Sequence, residues 1–464
     1  MIRRLFIVLL LFPLLAQAEP VLPDTPAAKI AGEWLDAINS GDRVKLQAFK
    51  DRYKRETSIE DNLQLRAETG GFTVLRVLSD DPHAVGLLVG EKASDTVARL
   101  DFSVNPDKPT EIAKVTLDIT ERPGDLAIAR LSQASALSAL SERVERLEKQ
   151  DAFSGAVLIA KHGKTILDKT AGMADRASGK VIDATTQFRL GSMNKMFTAV
   201  AILQFVEAGK LSLDTRLGEV LADYPNRNVA DKVRIRHLLT HTGGTGDFFG
   251  PEFDAHRLEL KTHADYLRMF GARGPEFEPG SQARYSNYGF ILLGAVIEKL
   301  SGTTYYDHLQ ASVFAPAGMR DTASPAESEA VPQRANGYLR KDGAWASNVD
   351  TLPWRGTAAG GGLSTTADLA RFAAALENGT LLPKRLLAQA TSAQSPQGGY
   401  GYGFAVAGTG ALRRYGHGGG APGMNAELLV VPKSATVIVV LSNFDPPVAN
   451  QLAEFYLNRM PVEP

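Results

Sequence analysis

The chain has 464 residues, of which 44% are hydrophobic and 22% charged, with a formal net charge of −1. That balance gives no electrostatic case for nucleic acid or an anionic membrane surface as a partner, and the length allows two or three domains. Cysteine is absent, which excludes disulfides and thiolate chemistry in any compartment and leaves stability to a large core.

The first eighteen residues have the form of a signal peptide. Arg3 and Arg4 precede an apolar run over 5–15, and Ala16-Gln17-Ala18 supplies the small residues of a cleavage site, so the mature chain is expected to begin at Glu19. The run is too short to cross a bilayer comfortably, and no cysteine follows the site to carry a lipid anchor. Export to a bacterial periplasm is the expectation, with secretion as the alternative and no membrane span in the mature chain.

Residues 19–125 read as a small α+β domain. Over 27–39 the residues Ile30, Trp34, Leu35 and Ile38 fall on one helical face, and Ser40-Gly41-Asp42 ends the pattern. A second helix is expected over 44–53, followed by strands over 72–77, 84–89, 97–104 and 112–119 separated by polar turns. Helices followed by an antiparallel meander resemble the nuclear-transport-factor-like cone. No catalytic constellation assembles here, and the expectation is a packing or substrate-recognition module.

The second domain, 131–464, opens with an amphipathic helix over 131–150 and a hairpin whose turn is His162-Gly163-Lys164. Ser192 then stands at the start of an apolar segment over 196–206, with Lys195 three residues on. Positions i and i+3 share a helical face, so the amine lies within reach of the hydroxyl, and the unpaired N–H groups of a first helical turn favour an oxyanion there. His237 and His241 are spaced i, i+4, but with no adjacent glutamate and no clear third ligand the expectation is capping and packing, not a metal. Tyr-x-Asn occurs at Tyr224, Tyr285 and Tyr456; only Tyr285 follows a Pro-Gly turn and precedes a buried helix, over 290–300. The run Gly360-Gly361-Gly362 allows backbone to approach a pocket, and Ser364 to Asp368 has helix-capping chemistry. Strands over 402–407, 411–415, 426–431 and 436–441 and a helix over 447–459 complete the chain.

Ser192-x-x-Lys195, Tyr285-x-Asn287 and His417-Gly418-Gly419, in that order, resemble the three motifs of the serine β-lactamase and penicillin-binding protein superfamily, nearest its class C-like branch of D-aminopeptidases and esterases. The resemblance spans about 131–464. It implies an α+β fold with an antiparallel sheet of five or more strands flanked by helices, together with an all-helical region. It also implies a Ser192 acyl-enzyme, with Lys195 and Tyr285 sharing the base role and no metal or organic cofactor. Lys195 is expected to favour its neutral form by burial, and Tyr285 its phenolate beside that cation. Asn287 would orient Lys195 and the substrate; His417, Gly418 and Gly419 would flank the substrate, and the N–H groups of Ser192 and Gly420 would form the oxyanion hole.

Where β-lactamases carry Lys-Thr-Gly this chain has His417, a weaker anchor for a carboxylate near neutral pH. That shifts the expected substrate toward esters, amides or D-amino-acid peptides. The alternatives are a β-lactamase or D-alanyl-D-alanine carboxypeptidase and, in another class, a non-catalytic binder of cell-wall peptides or proteins. A small molecule or peptide is the expected partner in the enzymatic readings. The complete Ser/Lys/Tyr/Asn set argues against the binder, which has no use for a nucleophile and its bases.

Overall fold

The computed structural model describes residues 20–53, 57–341 and 344–462; the expected signal peptide and Glu19 lie outside them. The chain divides after Ala127 into two compact units.

In the first unit the helix Pro26–Ser40 starts where the Thr25 side chain accepts from Ala28 N, and it ends at Gly41 in the left-handed conformation. Helices Arg43–Tyr53 and Ile59–Thr69 follow. The second of these was not legible from periodicity because it buries only its two terminal residues, Ile59 and Thr69; its signals are the Ser58 cap and the left-handed Gly70. Strands Phe72–Asp81, Ala84–Glu91, Val97–Asn105 and Lys108–Thr120 form an antiparallel meander in chain order. Ile30, Trp34 and Ile38 share one core with Leu87, Leu100 and Phe102.

The second unit is built on a six-stranded antiparallel sheet. Its spatial order is Ala405–Ala407, Arg414–Ala421, Met424–Val431, Thr436–Ser442, Gly155–Lys161 and Lys164–Ala171. The central strands are apolar at nearly every position because both faces are covered. Val157 and Ile159 join Leu140, Val144, Leu452 and Tyr456 of the flanking helices Gln133–Lys149 and Val448–Arg459. Leu158 and Ala160 turn the opposite way, into the core that contains Phe197, Val200 and Phe290. Ser192 lies in a single 3₁₀ turn, Gly191–Met193, running directly into the helix Asn194–Glu207. That helix is buried at every position from Asn194 to Leu203, as expected of one packed on all sides rather than laid on a surface.

The segment feeding Ser192 is tied down by charge. Arg189 is 7% exposed and makes a bidentate pair with Glu327, Nε to Oε1 at 3.0 Å and Nη2 to Oε2 at 2.7 Å, while its Nη1 donates to the Ala335 carbonyl at 2.9 Å. Arg334 reaches the same carboxylate at 3.1 Å. Removing one member of so enclosed a pair strands the other's charge. Glu327→Ala is therefore expected to lower unfolding free energy by about 3–5 kcal/mol in a urea titration.

Candidate active site

Three distant parts of the chain converge on the Lys195 ammonium nitrogen. It lies 3.1 Å from Ser192 Oγ, 2.7 Å from Asn287 Oδ1 and 2.6 Å from the Ala359 carbonyl oxygen. The residue is fully buried, with the faces of Tyr285 and Phe290 at 4.7 Å and 5.5 Å from Nζ. Burial brings its pKa down to about 7, opposed by the Asp247 carboxylate. A neutral amine has two hydrogens and one lone pair. Asn287 Oδ1 and the Ala359 carbonyl can only accept, so they take the two hydrogens and leave the lone pair directed at the Ser192 hydroxyl.

Asn287 is the first residue of the helix Asn287–Ser301, capped by Ser286, so Tyr285 stands in the loop just before it. The orientation of the Asn287 amide is set by Asp247, whose Oδ2 accepts from Nδ2 at 2.8 Å and thereby turns Oδ1 toward Lys195. The Tyr285 ring stands 4.7 Å from Lys195 Nζ, and burial of the phenol raises its pKa, with the Ser192 hydroxyl opposing the rise. This corrects the expected phenolate. Although 45% of the residue is exposed, desolvation of its hydroxyl end dominates, and the phenol stays protonated near neutral pH. The free site thus holds an amine able to accept a proton and a phenol able to give one.

The third motif lies within the strand Arg414–Ala421, with His417 opposite Leu428. His417 is buried, its Nε2 is 2.9 Å from the Tyr400 hydroxyl, and burial with the nearby Lys195 charge holds its pKa down at about 4. A cavity of about 620 Å³ opens beside Ser192 and is lined by Tyr285, Asn287, Ala359 and Gly420; His417, Gly418 and Gly419 are not in its wall. What the glycines provide is approach. A Cβ on Gly419 would sit 1.8 Å from the Leu190 carbonyl oxygen and 3.1 Å from Ser192 N, so only glycine lets this strand lie against the nucleophile turn. Phe248, Phe249, Phe253 and Tyr266 supply an aromatic part of the wall, and Asp254, Arg257 and Asp350 are its charged members.

His237 and His241 do not converge on a ligand position. His237 Nδ1 accepts from Arg234 N at 3.2 Å, whereas His241 Nδ1 accepts from Ser286 N at 3.1 Å. Among the described residues no group of three or more His, Cys, Asp or Glu could hold a metal ion, and no helix is long and apolar enough to cross a membrane. Asp247, Ala359 and Tyr400 were not identified from sequence. Asp247 stands six residues past His241 with nothing local to mark it, and Ala359 acts through a carbonyl, which any residue has.

A six-stranded antiparallel sheet packed between helices, with a serine, a buried lysine and a tyrosine meeting at its edge, defines a serine hydrolase of the penicillin-binding protein and serine β-lactamase superfamily, consistent with its class C-like branch. The family model described as Beta-lactamase matches residues 140–459, and the chain belongs to that family. It is 29% identical over 325 residues to penicillin-binding protein 4* of Bacillus subtilis (strain 168), covering 64% of this chain and 69% of that protein. The crystal structure of a penicillin-binding protein from Bacillus halodurans superposes with a TM-score of 0.62 at 32% identity, covering 67% of this chain and 97% of that one. A D-stereospecific amidohydrolase from Streptomyces superposes with a TM-score of 0.59 at 28% identity, covering 68% and 97%. The chain is thus a serine-hydrolase-type enzyme acting on small substrates.

The lysine signal should titrate near neutrality. In an NMR titration of labelled lysines, with Lys195 assigned from a Lys195→Met variant, a midpoint close to 7 is expected. Asp247→Asn removes the charge that favours the ammonium, so its midpoint should move lower still.

Proposed function

We propose that this chain is an exported serine hydrolase that cleaves esters and amides, D-amino-acid peptides among them, through an acyl-enzyme on Ser192. The observation that carries this reading is the contact set of Lys195 Nζ, whose two acceptors leave one lone pair facing the Ser192 hydroxyl. Ser192 Oγ attacks the substrate carbonyl as its proton passes to Lys195. The negative charge that develops on the carbonyl oxygen is met by the N–H groups of Ser192 and Gly420. As the intermediate collapses, the Tyr285 phenol protonates the leaving alkoxide or amine, and the proton held by Lys195 restores the phenol. Water then repeats the sequence on the acyl-enzyme, with its proton taken by the same pair.

The choice of esters and amides over carboxylate-bearing substrates rests on charge. The motif histidine is neutral and bonded to Tyr400, while the cavity wall has Asp254 and Asp350 beside the single cation Arg257. β-Lactam hydrolysis and D-alanyl-D-alanine carboxypeptidase activity are the competing reactions on the same nucleophile. In this proposal residues 1–18 direct export, 19–125 form a recognition module and 131–464 carry the chemistry.

A fluorophosphonate probe should label the mature protein at Ser192 and fail to label Ser192→Ala; absence of labelling together with inertness toward short-chain nitrophenyl esters would leave the non-catalytic binder as the better reading. On those esters kcat/KM should rise through a midpoint near pH 7, because below it Lys195 is an ammonium and cannot accept the serine proton. Tyr285→Phe should lower kcat by about 10²–10⁴-fold. Nitrocefin hydrolysed faster than any ester or D-amino-acid amide would transfer the assignment to a β-lactamase.

A further inference from the structure

His241 has no part in the proton transfers above, yet it engages Tyr285 from three directions. Its carbonyl oxygen accepts from Arg284 N at 2.9 Å, and its Nδ1 accepts from Ser286 N at 3.1 Å. Its ring lies against the ring of Tyr285, centroids 4.2 Å apart. Both chain neighbours of Tyr285 are therefore hydrogen-bonded to one residue, and the ring between them packs on that same residue. Tyr400 and Phe290 close the other sides of the imidazole at 4.7 Å and 5.2 Å.

Two features of His241 run against simple packing. Its φ is 58°, in the left-handed region that non-glycine side chains seldom occupy. Because Nδ1 accepts, the proton of the neutral ring resides on Nε2, a buried atom with no hydrogen-bond partner among the described residues. An aliphatic side chain would fill the space without burying an unpaired polar atom. The strain and the orphaned nitrogen are explained if the acceptor and the flat ring are both needed where they are. Tyr285 itself sits in a loop with no ladder or helix to hold it.

We propose that His241 is a positioning residue that clamps Arg284 and Ser286 and so holds the Tyr285 phenol on Ser192. The inference rests on the role given to Tyr285 under Proposed function. A phenol freed to shift by about 1 Å loses on the order of 10² in rate. The clamp acts on the reacting geometry, so the loss falls on kcat.

A double-mutant cycle tests this, with kcat and KM for a nitrophenyl ester measured per fluorophosphonate-reactive site, so that unfolded protein does not count. His241→Leu keeps volume and removes the acceptor. His241→Asn tolerates the left-handed backbone and keeps an acceptor for Ser286 N, which makes it the variant that folds most readily. His241→Leu should lose about 10²-fold in kcat with little change in KM, and His241→Asn should recover part of that loss. In a Tyr285→Phe background neither change should lower kcat further. Full kcat per site in His241→Asn and His241→Leu, or an equal additional loss in the Tyr285→Phe background, overturns the clamp. Near-normal kcat in Tyr285→Phe alone is a different result: it overturns the role of the phenol, and the clamp with it.

Discussion

Everything in the catalytic unit depends on keeping one amine dry. Lys195 sits in a helix buried at every position from Asn194 to Leu203, and burying its charge unpaired would be prohibitive. The protein meets that constraint by lowering the amine's pKa until the neutral form is accessible and by giving its hydrogens two acceptors. Asp247 moderates the shift from a distance, acting on Lys195 electrostatically while gripping Asn287 directly. Desolvation and the single carboxylate oppose each other, and their balance places the amine near the pH at which it must both take and release a proton.

The scaffold can hold such a balance because the elements around Lys195 are themselves over-constrained. The sheet is packed on both faces, the strand bearing Gly419 lies against the nucleophile turn, and the buried Arg189–Glu327 pair fixes the segment just upstream of Ser192. A serine hydroxyl 3.1 Å from an amine is useful only while neither can drift.

The surroundings of the site share a second property, which is the near absence of charge. His417 is held neutral at a pKa of about 4, burial drives His241 the same way, and the phenols of Tyr285 and Tyr400 are kept protonated. Any cation among these groups would oppose protonation of Lys195 and slow attack by Ser192. Apart from the Asp247 carboxylate behind Asn287, permanent charge is found in the outer wall of the cavity, at Asp254, Arg257 and Asp350, where it bears on recognition.

Much of this architecture was legible in the chain. Apolar runs marked the doubly covered strands, the Pro-Gly turn before Tyr285 distinguished it from the other two Tyr-x-Asn segments, and the order of the three motifs indicated the superfamily. Local pattern sufficed there because periodicity, turn chemistry and i, i+3 spacing are properties of neighbouring residues. The sequence could not show that the hydrogens of Lys195 are taken by an asparagine 92 residues away and a carbonyl 164 residues away. Nor could it show that His417 turns from the cavity toward Tyr400, or that desolvation would outweigh the neighbouring cation at Tyr285. Such outcomes depend on which distant groups share a buried volume, and only the packed tertiary structure sets that volume's dielectric and its hydrogen-bond partners.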